Sequence, residues 1–228
     1  MNKKFLVFSM FILILSISAV NAQDTIENDV GICDMSVNSA KLEDYPSMDE
    51  IGSFTDLNDE ISKIAPGGNF TLKTDYAYSS NDSNYKSGIR ITQDNIVIDG
   101  NGHTIDGSGQ SRIFDIASNN VTLKNINFVN GYSSENGGAI FAISNLNILN
   151  SVFNNNVAKN FGGAVYIENA ILNCEINSIF RNNSATSGGA IYFKNRIVNA
   201  TINGFYRDLF LDSEARRRQY YRFILSSL

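Results

Sequence analysis

Gly-Gly-Ala followed by Ile or Val occurs three times in this chain, at 137–140, 162–165 and 188–191, so the starts lie 25 and 26 residues apart. A near-constant period of this length marks a repeat architecture, in which each unit buries its apolar face against the next. After each glycine pair comes a short segment, AIFAIS (139–144), AVYIEN (164–169) or AIYFKN (190–195). These are rich in β-branched and aromatic residues and bounded by Gly and Asn, which are strand signals. A second strand segment follows in each unit: 121–128, 146–153, 173–180 and 199–205. Each ends in phenylalanine, at Phe128, Phe153, Phe180 and Phe205, with intervals of 25, 27 and 25. Asparagine recurs ahead of it, at Asn125, Asn150, Asn177 and Asn203, and two residues after it, at Asn130, Asn155 and Asn182.

A strand that returns at this period must stack on its previous copy, at the ~4.8 Å spacing of hydrogen-bonded strands. Identical positions then superpose, with Phe on Phe inside and Asn on Asn at the turns, where amides can bond up and down the stack. Of 31 asparagines, 21 lie between 119 and 203, the region of those turns. The expected fold is all-β: a right-handed parallel β-helix, or solenoid. A leucine-rich array has a similar period but would need regular leucines and a helical segment, and neither is present. Gly-Gly falls at a coil corner, where the backbone turns sharply and φ > 0 is accessible, and the following Ala is small because the corner is crowded. Strand side chains alternate faces. Ile140, Ala142, Val165, Ile167, Ile191 and Phe193 are assigned inward, which turns Phe141, Tyr166 and Tyr192 outward as an aromatic ladder.

The ends read differently. Residues 1–22 have a basic start, an apolar run and small residues at Val20 and Ala22, which is a secretory signal with cleavage expected before Gln23. Residues 23–52 form an acidic leader expected to be flexible; 23–66 carry 11 acidic and 2 basic residues. Residues 53–66 read as an N-terminal capping helix, with Phe54, Leu57, Ile61 and Ile64 on one face, Ser53 or Thr55 at its start and Pro66-Gly67-Gly68 at its end. The β-helix is expected over 67–206, its first coils in 89–109. Residues 207–228 form an atypical basic tail with five of the nine arginines and no Asn or Gly. It reads either as a helical cap or, as favoured here, as a foreign or truncated end that matches no coil and that the coils before it do not need. No later segment is long and apolar enough to span a bilayer, so no membrane span is expected after signal cleavage.

Between 67 and 206 the acidic and basic residues balance at nine each, with no basic stripe, so nucleic acid is not an expected partner. Cys33 and Cys174 show no metal spacing; in an exported chain they are either a disulfide or two free thiols. His103 has no Cys or His neighbour and reads as a turn residue. Five Asn-x-Ser/Thr triplets, at Asn69, Asn81, Asn120, Asn182 and Asn199, are the number expected of so Asn-rich a chain as much as glycosylation signals. The nearest acid–base candidates are Asp99, Asp106 and His103 in IDGNGHTIDG, and turn chemistry accounts for each. Arg112 and Lys124 each stand without an acidic cluster. Neither a catalytic residue nor a cofactor nor a metal site is expected.

IDGNGHTIDG, NINFVNG, FNNNVAKNFGGAVY and FRNNSATSGGAIYF resemble the secreted adhesin-like β-helix proteins of methanogenic archaea. The pairing of Gly-Gly-Ala-Ile with Phe-x-x-Asn is similar to the repeats of bacterial polymorphic outer-membrane proteins. The resemblance covers roughly residues 50–205 and implies a secreted or cell-surface protein with a role in adhesion. The expected function is non-catalytic binding of a surface carbohydrate or a neighbouring cell, through the outward ladder of Phe141, Tyr166 and Tyr192. The alternatives are a spacer or coat rod without ligand and, further off, a polysaccharide lyase or hydrolase. Since the resembled proteins are commonly longer and anchored, a fragment of a longer adhesin is also expected.

Overall fold

The structure, a computed structural model, describes residues 51–169, 171–195 and 197–203, with the backbone of Leu209–Leu211 and Arg222–Ile224. The signal segment, the leader up to residue 50 and Cys33 lie outside the described residues. The chain is a β-solenoid of about six turns, and among the described residues its strands pair in parallel throughout. A six-stranded sheet takes one strand from each coil: Ile89–Ile91, Phe114–Ile116, Ile140–Ala142, Val165–Ile167, Ile191–Phe193 and Leu209–Leu211. An eleven-stranded sheet takes most of the remaining strands, and two two-stranded sheets pair Tyr132–Ser133 with Val157–Ala158 and Ile171–Leu172 with Ile197–Val198. In early coils the eleven-stranded side is two strands, Val121–Lys124 and Asn127–Val129, broken where Asn125 turns to φ 55°. Later it is one bent strand, Leu146–Asn154, whose register shifts between Leu149 and Val152 beside Asn150 at φ 48°.

Inside, the aromatic rungs superpose as the repeat requires. Phe153 pairs in register with Phe128 below and Phe180 above. The ring centroids lie 4.5 and 4.6 Å apart, with interplanar angles of 14° and 2°. Outside, left-handed backbone falls on asparagine at eight described positions besides Asn125 and Asn150, including Asn120, Asn130, Asn155, Asn182 and Asn199, and on Ser108. Asparagine tolerates that region better than other non-glycine residues. The amide ladder is real in part: Asn120 donates to Asn95 at 3.0 Å, Asn145 to Asn120 at 3.2 Å and Asn199 to Asn173 at 3.3 Å.

The two glycines of each pair do different work. Gly137, Gly162 and Gly188 have φ of 64°, 65° and 66°. Their successors need no special φ but have no room for a side chain: a Cβ on Gly138 would lie 2.2 Å from the Gly163 carbonyl oxygen of the next coil. The alanine that follows is buried, and its carbonyl oxygen accepts two consecutive N–H groups from the preceding coil, as Ala164 does from Ala139 and Ile140, both at 2.9 Å.

Helix α1 runs Phe54–Ser62, shorter than the expected 53–66, because Lys63 and Ile64 close it with tight i−3 bonds to Glu60 and Ile61. Ser53 is the N-cap in a capping box with Asp56, and Phe54, Leu57 and Ile61 are buried. The helix packs on Ile89–Ile91, the first strand of the six-stranded sheet. It is pinned by Asp82, 1 % exposed, whose carboxylate accepts from the backbone N–H and hydroxyl of both Thr55 and Ser79 at 2.8–3.0 Å.

At the other end, Leu209–Leu211 pairs with Ile191–Phe193, and Arg222–Ile224 pairs with Thr201–Asn203. The backbone therefore adds rungs where no coil was expected. Both triplets carry apolar residues at the rung positions, Leu209 and Leu211 in one and Phe223 in the other. The remaining residues of 204–221 and 225–228, including the expected cap start at Asp212 or Ser213, lie outside the described residues.

Candidate functional site

The outer row forms as a stack. Phe141, Tyr166 and Tyr192 occupy one register position, with ring centroids 5.3 Å apart for the first pair and 5.6 Å for the second. It is not open, however: Tyr166 is 3 % and Tyr192 7 % exposed. The rings cover one another's faces, and Phe161 packs against Tyr192 at 4.6 Å. At the other end, the Arg112 guanidinium lies 5.3 Å over the Phe141 ring. The Tyr166 hydroxyl donates to Glu168 at 2.7 Å, and Glu168 is also paired with Lys194. Burial raises the Tyr166 pKa and Glu168 adds to it; burial would also raise Glu168, but Lys194 and the Tyr166 hydroxyl outweigh it and hold the carboxyl low. With Tyr166 and Tyr192 buried and Phe141 half-buried under Arg112, the row offers a ligand little surface.

Arg112 holds a corner. Its Nε donates to the Gly137 carbonyl at 2.9 Å, Nη1 to Ser87 at 2.9 Å, and Nη2 to Asn136 at 2.8 Å and to the Ser133 hydroxyl at 3.0 Å. One side chain thus ties three successive coils. Asp99 and Asp106 are turn residues, accepting from the N–H two residues on at 3.0 Å (Asn101) and 2.7 Å (Ser108). Asp99 also bonds Asn125 and Lys124, and these contacts keep its pKa low although burial alone would raise it. His103 contacts Asp75 at 3.1 Å. Cys174 is buried and has no disulfide partner among the described residues, and burial pushes its thiol up to about 12.

Open surface lies instead on the corner between the two sheets. A depression of about 560 Å³ is bounded by Asp106, Ser108, Asn130, Tyr132, Asn155 and Val157. A second, of about 420 Å³, shares Tyr132 and adds Lys86, Gln110, Arg112 and Glu135. Both are within the range of ligand pockets. The corner is built by Tyr132–Ser133, which pairs with Val157–Ala158 in a two-stranded sheet. Its inner side is locked by Asn156, fully buried. That amide oxygen accepts the Gly131 N–H at 2.8 Å, and its nitrogen donates to the Phe128 carbonyl at 3.1 Å and to Asn183 at 2.9 Å. Asn183 repeats the contact one coil up, donating to the Phe153 carbonyl at 3.1 Å. The Asn of Phe-x-x-Asn is therefore a clamp between coils, fully buried at Asn156 and half-buried at Asn183. The sequence reading missed it, having placed its asparagines one residue earlier at the exposed turn. It missed Tyr132 too, which stands alone in a polar turn and repeats nowhere.

With this geometry in view, the family comparison is informative about the unit. The Chlamydia polymorphic membrane protein repeat matches twice, over 150–168 and 177–194. Each match runs from the end of the eleven-stranded sheet, through the corner with its Asn clamp and Gly-Gly-Ala, into the six-stranded sheet. No curated protein and no solved structure matches the chain. The molecule is a parallel β-solenoid, and at least two of its coils are similar to that outer-surface repeat.

Proposed function

We propose that this chain is an adhesin-type solenoid displayed on or released from a cell surface, binding a surface glycan or neighbouring cell component without catalysis. The observation that carries the reading is the repeat match itself, since these repeats come from outer-membrane surface proteins. The resemblance to archaeal adhesin-like β-helices points the same way, and the secretory signal supplies the route. The turn roles of Asp99 and Asp106 support a non-catalytic reading, since each carboxylate is engaged in local backbone bonds. One observation favours the spacer alternative: Tyr166 and Tyr192 of the outer aromatic row are buried.

The test is adherence. Purified chain is applied to cultured epithelial cells and to immobilised cell-wall polysaccharide, and eluted glycan is assayed for new reducing ends. Saturable retention with no new ends is the expected result. Absence of retention on every surface would favour the spacer, and new reducing ends would make the chain an enzyme.

A further inference from the structure

We propose that the corner cleft centred on Tyr132 is the ligand site, and that it takes an uncharged oligosaccharide with one sugar ring lying on the Tyr132 ring. The proposal rests on the binding reading above and names its site and ligand class.

Four observations converge. First, Tyr132 is the one side chain shared by the two corner depressions, so an extended ligand crossing from one to the other passes over it. It is partly exposed, and Val157, its register partner in the next coil, is 38 % exposed. Together they give the apolar floor that the C–H face of a pyranose needs. Second, unpaired polar groups border that floor. Asp106 accepts both of its side-chain bonds, from Ser108 and Asn130, on Oδ1, which leaves Oδ2 free among the described residues. Among the described residues the Asn155 amide has no hydrogen-bond partner, because Asn182 of the next coil donates to Asn154 at 3.2 Å. A carboxylate oxygen and a primary amide supply acceptors and donors for vicinal hydroxyls.

Third, the charges of the cleft cancel. Lys86 and Arg112 stand against Asp106 and Glu135, and Arg112 is already committed to carbonyls. A polyanion would find no net attraction. Fourth, the local backbone is used up: Tyr132 N–H donates to Ser111 and Val157 N–H to Gly131, both at 2.8 Å, and Ala158 N–H to Ser184 at 2.9 Å. A peptide adding as a strand would lack free ladder groups here. A glycan needs none, and the coil spacing repeats its polar contacts along the axis.

The experiment is calorimetric titration of the full chain with three probes: hexamers of glucose, of N-acetylglucosamine and of galacturonate. Variants are Tyr132→Ala, Tyr132→Phe and Asn155→Gly; glycine keeps the left-handed backbone at 155. The expected result is binding of at least one neutral hexamer. Tyr132→Ala should weaken it about tenfold or more, as loss of an aromatic anchor does, while Tyr132→Phe leaves it within about twofold. Asn155→Gly should weaken it with an unchanged melting curve, which separates ligand loss from unfolding. Neutral-hexamer binding that Tyr132→Ala and Asn155→Gly leave intact would overturn the site. Preference for galacturonate would overturn the ligand class. Retention on cells without binding of any hexamer would overturn this inference and leave the adhesion reading standing, whereas failure of both would remove both.

Discussion

Two rows of aromatic rings climb this solenoid, and they differ in what covers them. Phe128, Phe153 and Phe180 stack inside, each at or below 3 % exposure. Phe141, Tyr166 and Tyr192 stack at an outer position; Tyr166 and Tyr192 are nearly as well covered, through Phe161 and the stacked faces, while Phe141 at the end of the row is half-buried. Outward direction along a strand is thus not the same as exposure. The position fixes the face, and the neighbouring corner decides whether water reaches it. Tyr132, outside both rows, stays open because it lies on the corner itself.

The sharpest way to break the comparison is to truncate one ring in each row. Phe153→Ala should cost about 3–5 kcal/mol in urea melts, the range for buried Phe truncations. Tyr166→Ala should cost less, about 1.5–3 kcal/mol, the value of burying one large side chain. Equal costs would make the outer row a second core; a negligible cost at Tyr166 would mean it is open after all.

The paired asparagines give the next contrast. Asn156→Ala leaves the Gly131 N–H buried without its partner and removes the side-chain donor to the Phe128 carbonyl, which keeps its ladder bond; the expected loss is about 1–3 kcal/mol. Asn155, its exposed neighbour, holds only a left-handed turn, so Asn155→Gly should leave the melt unchanged to within a few tenths of a kcal/mol. Similar losses at both positions would contradict the clamp.

Acid should act at the first coil. Burial alone would raise the Asp82 pKa, but its bonds to Thr55 and Ser79 outweigh this and lower it below the ordinary carboxylate value. A lowered folded-state pKa stabilises the fold fully above the unfolded value, and the contribution is lost as pH falls through the folded one. Asp82→Asn should therefore be destabilising at neutral pH and flatten the acid limb of stability against pH. A variant that tracks the parent across the acid range would remove Asp82 as the pin of α1.

The repeat period, the inner Phe rungs and the corner glycines were legible because identical residues superpose, so one-dimensional spacing already encodes contact. The helix was legible from its apolar face and cap, but not its length, since Lys63 and Ile64 tighten the last turn. Three features were not legible, each for a physical reason. Asn155 and Asn156 are the same residue type in adjacent positions, and only the left-handed turn at 155 sends one out and the other in. Phe161 covers Tyr192 of the following coil, a contact that local alternation cannot show. Leu209–Leu211 and Arg222–Ile224 lack the Gly and Asn that flagged the other rungs, yet their backbone pairs in register.

The central claim is that coils about 25 residues apart stack position on position, and a cross-link reads this directly. Thr122 pairs with Asn147 in adjacent parallel strands. With Cys33 and Cys174 replaced by Ala, cysteines at 122 and 147 sit about 4.8 Å apart at Cα, within disulfide reach. Cysteines at 124 and 147 lie on a diagonal of about 8 Å, beyond it. Mild oxidation followed by mass spectrometry of the peptides should show an intramolecular 122–147 disulfide in near-full yield and little or no 124–147 product. Comparable yields for the two pairs, or a preference for 124–147, would contradict the register on which the whole account rests.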